Sequence, residues 1–379
     1  MESQADKITD QGKKIGFNLV GIIDAEKVHE NYGQWLKELE QQGCLSPFLG
    51  KFPEKRANPG LLLANAQSII MVGLAYQGEN KVKPNGYYGR LASSARGKDY
   101  HQVIYAMLEQ YAAAVKELVG QEFKYLAFAD NKPVLEKALA LKAGFGAYGK
   151  NSLLINPELG SYFFLGGLIT DIPLPAISAG PEGINKPGKT AELCSECDQC
   201  ITACPTQAIL SPGVIDVRKC LAQITQNKGI IPPEYREKLT TTLYGCDICQ
   251  QVCPYNLQKG KSAANSGLNE EEDEGWYDLI QLVDMNKASF AAALGKTAAG
   301  WRGKTVLQRN AVIALGNSGD RQVIPVLTKA LEDQRPVMRI HAAWALKRLG
   351  GDEARELLEK AGKKEKDPQV LEELNSELK

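Results

Sequence analysis

Eight of the nine cysteines in this 379-residue chain lie between Cys194 and Cys253, and only Cys44 stands apart. The first run is Cys194-x2-Cys197-x2-Cys200-x3-Cys204-Pro205, and the second is Cys220 followed at a distance by Cys246-x2-Cys249-x3-Cys253-Pro254. Thiolates at this spacing wrap iron–sulfur cubes, with the cysteine before proline reaching across to the neighbouring cube. The pattern predicts two 4Fe-4S clusters. Cys194, Cys197 and Cys200 share one with Cys253, while Cys246, Cys249 and the isolated Cys220 share the other with Cys204. Cys220 enters because the second run lacks its first member locally. Cys-x2-Cys pairs also build structural zinc sites, but zinc does not call for two Cys-x2-Cys-x3-Cys-Pro tails. Cys44, in the loop Gly43-Cys44-Leu45-Ser46-Pro47, reads as an ordinary thiol.

Clusters ligated only by thiolates commonly sit at low potential and move electrons singly. A free carrier of this kind needs only a short chain, so the remaining residues have other work. Their composition narrows what that work is. Lys and Arg, 45 in all, cancel 45 Asp and Glu, which excludes a uniformly basic nucleic-acid coat and leaves room for a local basic face. The first residues mix acids with lysines and lack the apolar core of a signal peptide, and no apolar run reaches the ~18 residues of a membrane span. The expectation is a cytoplasmic protein.

Three segments must position the cysteines and their partners. Residues 1–187 alternate strand-like and helix-like runs and predict an α/β domain. Within it Ser68 to Ala75 reads as a buried strand. His101 to Leu118 reads as a helix stopped by Gly120, with Ile104, Met107, Leu108, Tyr111, Val115 and Leu118 on one face. Phe123 to Ala129 reads as a strand, Pro133 as an early residue of the next helix, and Gly144 as its end. Asp130 then falls at the carboxyl end of a strand, where open α/β sheets place ligands. Gly144-x-Gly146-x-x-Gly149 matches a dinucleotide fingerprint only formally, because it follows a helix. Gly166-Gly167 marks either a core strand with a close backbone approach or the wall of a large-ligand pocket. Residues 188–265 form the ferredoxin-like two-cluster domain, and the acidic run from Asn269 to Glu274 reads as a solvated linker. Residues 276–379 form an all-α, HEAT-like repeat: Ala311, Ala314, Leu315 and Gly319 recur 31 positions later as Ala342, Ala345, Leu346 and Gly350, a period shorter than the ~40–47 residues usual for that class. Between Trp301 and Gly350, nine basic residues face three acidic ones, and a basic repeat can follow a folded phosphate backbone.

Taken in order, these pieces resemble the tRNA epoxyqueuosine reductase family over nearly the whole chain. The resemblance rests on Phe52-Pro53-Glu54-Lys55-Arg56, Gly97-Lys98-Asp99-Tyr100-His101, Asp130-Asn131-Lys132-Pro133-Val134-Leu135-Glu136-Lys137, Gly149-Lys150-Asn151-Ser152-Leu153-Leu154, both cysteine runs and the basic tail. It implies the last step of queuosine formation, in which an epoxide on the modified wobble base of tRNA is reduced to an alkene with loss of water. It also implies cobalamin as a second cofactor beside the clusters. Asp99-Tyr100-His101 nearly mimics a cobalamin histidine motif but fails at Ile104, so His101 is not expected to ligate cobalt. By position in the family motif Asp130 is the candidate proton donor, and Lys137 a candidate substrate contact. Lys150, Asn151 and Ser152 are candidate cofactor contacts, as are Arg56 and Lys98. Arg302, Arg335 and Arg339 are the candidate tRNA contacts. A monomer served by an external electron donor is expected, without membrane attachment. Rival readings are a reductive dehalogenase-like corrinoid enzyme and a non-catalytic electron-transfer or partner-binding protein.

Overall fold

The computed structural model describes residues 3–25, 31–46, 52–78, 82–177, 194–257, 268 and 275–377. The expected boundaries near residues 187 and 265 and the acidic run 269–274 lie outside the described residues. The chain forms two compact units, each assembled from separate stretches: 1–79, 98–218 and 248–270 in the first, 80–97, 219–247 and 271–379 in the second. Among the described residues no helix is long and apolar enough to cross a membrane.

The first unit is built on a four-stranded sheet in the order Leu19–Asp24, Ser68–Ala75, Phe163–Thr170, Tyr125–Phe128. Helices cover both faces, so the mixed α/β character expected from the sequence holds. Every neighbouring pair of strands is antiparallel, which differs from the open parallel sheet whose ligand rule pointed to Asp130. The strand Ser68–Ala75 is buried on both sides, which explains its unbroken apolar run. Ile70, Val72 and Leu74 pack with Ile104, Leu108 and Tyr111 of the helix Tyr100–Val119. Ile69 and Met71 face the other way, towards Leu139 and Ala140 of the helix Glu136–Lys142. The long helix starts where the Asp99 side chain accepts the His101 N–H and ends at Gly120 in the left-handed region, as its sequence predicts. Leu118, placed by periodicity on the buried face, is 39% exposed in the helix's last turn.

The helix after the Tyr125–Phe128 strand begins at Glu136, three residues beyond the expected Pro133. Asp130, with φ of +60°, and the Val134 N–H bond to the Lys132 carbonyl hold the intervening residues as a turn. That turn carries the candidate proton donor.

The second unit combines a three-stranded sheet with helices. Tyr88–Leu91 runs between Thr242–Tyr244, parallel, and Trp276–Asp278, antiparallel. The 31-residue repeat becomes two helix pairs, Lys304–Gly316 with Ile324–Leu331 and Pro336–Leu349 with Asp352–Gly362, followed by Pro368–Asn375. The recurring alanines and leucines are the contact surface: Ala311, Leu315, Ala342, Ala345 and Leu346 are fully buried. Gly319 and Gly350 both take positive φ at equivalent turns.

The sheet of the first unit settles the two readings of Gly166-Gly167. A Cβ on Gly167 would stand 2.4 Å from the Ile70 carbonyl oxygen and 2.7 Å from the Phe128 ring. The pair therefore permits close backbone packing in a core strand. Gly167→Ala should destabilise the protein by about 1–3 kcal/mol through overpacking, measured as a lowered denaturant midpoint with an unchanged slope.

Candidate functional site

Cys194, Cys197, Cys200 and Cys253 line one cavity of about 230 Å³, together with Lys150, Asn151, Ile155 and Tyr255. Local spacing delivers the first three. The fourth arrives because Asn256, three residues after Cys253, is tied to a distant turn: its Oδ1 accepts the Ser161 N–H at 2.7 Å, and its Nδ2 donates to Ser161 Oγ at 2.9 Å and to the Gln250 carbonyl at 2.7 Å. Among the described residues no three His, Cys, Asp or Glu side chains close on a single ion. The four thiols instead surround a volume, which is what a four-iron cube requires and a tetrahedral zinc ion does not. Burial, then the neighbouring thiolates, raises the pKa of Cys200; burial also raises Cys253, where Cys194 and Cys197 add to it. Metal binding must displace these protons. For Cys204 burial works upward, but N–H donors from Ala208, Thr206 and Ile209 and the Thr206 hydroxyl outweigh it and lower the pKa. Cys204 and Cys249 belong to the first unit, Cys220 and Cys246 to the second.

Lys150 is nearly buried beside this cavity, its Nζ donating to Asp198 Oδ1 at 2.6 Å. The Asp198 bond, and then the Cys194 and Cys197 thiolates, hold its pKa above the ordinary value against a smaller desolvation cost. Asn151 is buried at the same wall and accepts the Leu153 N–H. Ser152, with φ of +62°, turns the chain the other way, and its carbonyl accepts from Lys137 Nζ at 3.0 Å. Three consecutive residues thus join the thiol cavity to the surroundings of Asp130.

Asp130 leaves the sheet edge with its side chain 70% exposed. Tyr100 OH donates to its Oδ2 at 3.0 Å, and His101 Nε2 lies 3.9 Å from the same oxygen. The 2.6 Å contact of His101 Nδ1 with Asp99 Oδ1 puts the ring proton on Nδ1, because a carboxylate can only accept. Both ring nitrogens therefore face acids. Tyr100 stacks on Phe164 at 3.9 Å, and Phe164 on Tyr76 at 4.3 Å, which fixes an aromatic wall beside Asp130.

Behind Asp130 sits a residue that the sequence reading passed over. Glu136 Oε1 accepts the Asp130 N–H at 2.5 Å. Although solvent reaches one side of Glu136, protein crowds it enough that desolvation, and then the Asp130 charge, push its carboxyl up to about 8, against the Asp130 amide, Arg56 and Lys137. Lys137 is solvent-exposed but similarly crowded; desolvation lowers its pKa against the charges of Asp130 and Glu136. Arg56 Nη1 donates to the Val134 carbonyl at 3.3 Å; burial lowers its pKa while Glu136 and Asp130 raise it. Lys98 is exposed next to the start of the Tyr100–Val119 helix. Glu136 escaped notice because an acid in a helix's first turn is the ordinary complement to the helix dipole.

Within the second unit the candidate tRNA-contact arginines make many internal bonds. Arg335 donates to Asp333, Thr305 and Gln308. Arg339 pairs with Glu365 through two nitrogens and donates to the Asp333 and Gln334 carbonyls. Arg302 donates to the Gln226 carbonyl at 2.5 Å and stacks over Trp301, which is 57% exposed. Lys329, Lys347 and Arg348 reach Asp284, Glu373 and Glu237, acids that lie outside the counted window.

Three family descriptions match the chain: "4Fe-4S double cluster binding domain" over residues 193–256, "Epoxyqueuosine reductase QueG, DUF1730" over 56–131, and "HEAT repeats" over 302–379. The epoxyqueuosine reductase of Bacillus cereus is 38% identical over 374 residues, covering 97% of this chain and 94% of the relative. That of Lactococcus garvieae is 36% identical, with 92% and 97% covered. A crystal structure of epoxyqueuosine reductase with an epoxyqueuosine-modified tRNA-Tyr stem loop superposes with a TM-score of 0.88 at 33% identity, over 97% of this chain and 96% of that one. The Streptococcus thermophilus enzyme gives 0.85 at 30% identity, with the same coverage.

The Glu136 carboxyl makes stability depend on pH. Its folded pKa of about 8 lies above the ordinary 4.5, so the folded protein keeps a proton that the unfolded chain releases. The group's contribution is complete below about pH 4.5 and is lost as pH rises through about 8. Glu136→Gln should therefore gain stability relative to the parent between pH 5 and pH 8, read as the change in the difference between their melting temperatures across that interval.

Proposed function

The chain belongs to the epoxyqueuosine reductase family, and from that premise we infer that it reduces epoxyqueuosine to queuosine at the wobble position of tRNA. The observation that carries this reading is the Lys150–Ser152 turn, which links the four-thiol cavity to the Asp130 site inside one unit. Full-length identity to epoxyqueuosine reductases favours this reaction over dehalogenation or bare electron transfer. Converting an epoxide to an alkene consumes two electrons and two protons and releases the oxygen as water. The 4Fe-4S clusters supply electrons one at a time, and cobalamin, when bound, supplies a strongly reducing cobalt centre.

Around Asp130 the chain offers a tyrosine hydroxyl, carboxyls, an ammonium and one imidazole engaged by acids on both sides. Such a set would suit a large cofactor that carries its metal already ligated and needs only hydrogen bonds and an apolar wall from the protein. Asp130, Lys98, Asn151 and Ser152 are the residues we assign to hold it, with the Tyr100–Phe164 wall. Asp130 holds the proton destined for the departing oxygen, and the Tyr100 hydroxyl fixes the carboxyl's orientation. Lys137, kept near both Asp130 and the Ser152 carbonyl, presents positive charge to the substrate's developing oxyanion. Lys150 offsets the negative charge of the thiolate cluster at the wall between the two sites.

Cys194, Cys197, Cys200 and Cys253 hold one cluster in this proposal, and Cys204, Cys220, Cys246 and Cys249 the other. A solved relative holds an epoxyqueuosine-modified tRNA stem loop, which supports the anticodon arm as the partner. Arg302, beside exposed Trp301, is the RNA contact we favour; Arg335 and Arg339 act by fixing the helices that carry it. The protein works as a cytoplasmic monomer recharged by an external donor.

Anaerobically reconstituted protein with cobalamin, a reductant and epoxyqueuosine-bearing stem loop should yield queuosine by mass spectrometry; no product with all cofactors bound would sink the reading. Asp130→Asn should lower kcat by about a hundredfold or more with the cluster absorbance unchanged. Iron analysis should give about eight irons per chain, and Cys253→Ser should remove about half of them.

A further inference from the structure

The turn that carries Asp130 is gripped at both ends by side chains that the proposed chemistry does not use. At one end, Glu136 Oε1 takes the Asp130 N–H at 2.5 Å. At the other, Arg56 Nη1 donates to the Val134 carbonyl at 3.3 Å. Asp130 itself is in the left-handed region at φ +60°, a conformation that costs a non-glycine residue energy and persists only where the surroundings impose it. The Asp130 side chain adds one bond, its Oδ2 accepting from Tyr100 OH, and is otherwise mostly in solvent. Asn131 adds two ties, its Oδ1 accepting from Tyr105 OH and its N–H donating to the Ala129 carbonyl, and Pro133 has no N–H to offer.

We propose that Glu136 is a positioning residue: by accepting the Asp130 amide it holds the 130–134 turn in the left-handed conformation that presents the Asp130 carboxyl to Tyr100 and His101, with Arg56 clamping the far end. The inference rests on the reading of Asp130 as proton donor. The charged and titratable groups facing Glu136 are Asp130 from the turn, Lys137 from its own helix, Arg56 from the Pro53–Ala57 helix and Tyr105 from the long helix. Arg56 and Lys137 offset the repulsion between the two carboxyls. The acceptor is an sp² oxygen with two lone pairs, so the amide oxygen of glutamine can replace it without charge.

The test compares the parent, Glu136→Gln, Glu136→Ala and Arg56→Met as cofactor-loaded protein. Hydrogen exchange of peptides spanning residues 129–135 is followed by mass spectrometry, alongside kcat and KM on the epoxyqueuosine stem loop. Glu136→Ala should speed exchange of the turn about tenfold or more, the scale of losing a hydrogen bond to an acidic group, and lower kcat with little change in KM. Glu136→Gln should return both to near the parent, and Arg56→Met should loosen the same peptides. Parent-like exchange and kcat in Glu136→Ala would overturn the proposal, as would a Gln variant as damaged as the Ala variant. If Glu136→Ala fails to fold, the parent-like or damaged behaviour of the isosteric Gln variant, with the Arg56→Met exchange, decides it. Exchange that responds as expected in a protein that makes no queuosine upholds the clamp and overturns the reaction assigned to the site.

Discussion

The approach of Asn256 to the Gly160–Ser161 backbone is the constraint on which the rest of the first unit depends. Cys253 is the one thiol of its cavity that local spacing cannot deliver, since it lies far along the chain from Cys194, Cys197 and Cys200. Asn256 brings it there by satisfying three hydrogen bonds at once with Ser161 and Gln250. The contact admits no side chain at residue 160: a Cβ there would meet Asn256 Oδ1 at 2.2 Å, and the backbone holds φ at +71°. One turn later the chain enters Phe163–Thr170, which lies between Ser68–Ala75 and the strand that delivers Asp130. The thiol cavity and Asp130 are thus referred to the same sheet.

Charge in the second unit follows a different logic from the one its sequence suggests. A window of nine cations against three acids looks like a surface for phosphate, yet most of those cations are spent inside the fold. Arg309 is almost completely buried, donating to the Asn227, Gly229 and Thr225 carbonyls, and its pKa falls to about 10 through desolvation and the charge of Arg302. Arg339, Lys347 and Arg348 meet Glu365, Glu373 and Glu237. These acids lie outside the window, so a local count sees half of each pair. Tertiary pairing of this kind binds helix to helix, and it removes guanidinium groups from the inventory available to RNA.

What could be read without the structure divides along the same line between local and distant. The two-cluster module is written in short cysteine spacings, and capping in single residues such as Asp99 and Gly120, so both are legible in the sequence. The strand Ser68–Ala75 announced itself because a strand buried on both faces must be apolar throughout. Its antiparallel pairing did not, since partners as far off as Leu19–Asp24 and Phe163–Thr170 leave no mark on the strand itself. The start of the helix after Asp130 was misplaced by three residues because proline usually opens helices, whereas here a left-handed aspartate and the Glu136 carboxyl make a turn first. Glu136 and Arg56 stood inside quoted motifs, but their meaning is a relation between positions 56, 130, 134 and 136, and only the fold draws it.

The same relation explains how an exposed carboxylate comes to hold a fixed place in the first unit. Asp130 is open to solvent, and what the fold determines is where the turn puts it. Tyr100 and His101 meet its Oδ2 from the first turn of a helix capped by Asp99, and Glu136 and Arg56 fix the backbone beneath it. A backbone tied at both ends and an exposed side chain are therefore complementary: the fold sets where the carboxyl stands and leaves its oxygens accessible to what binds.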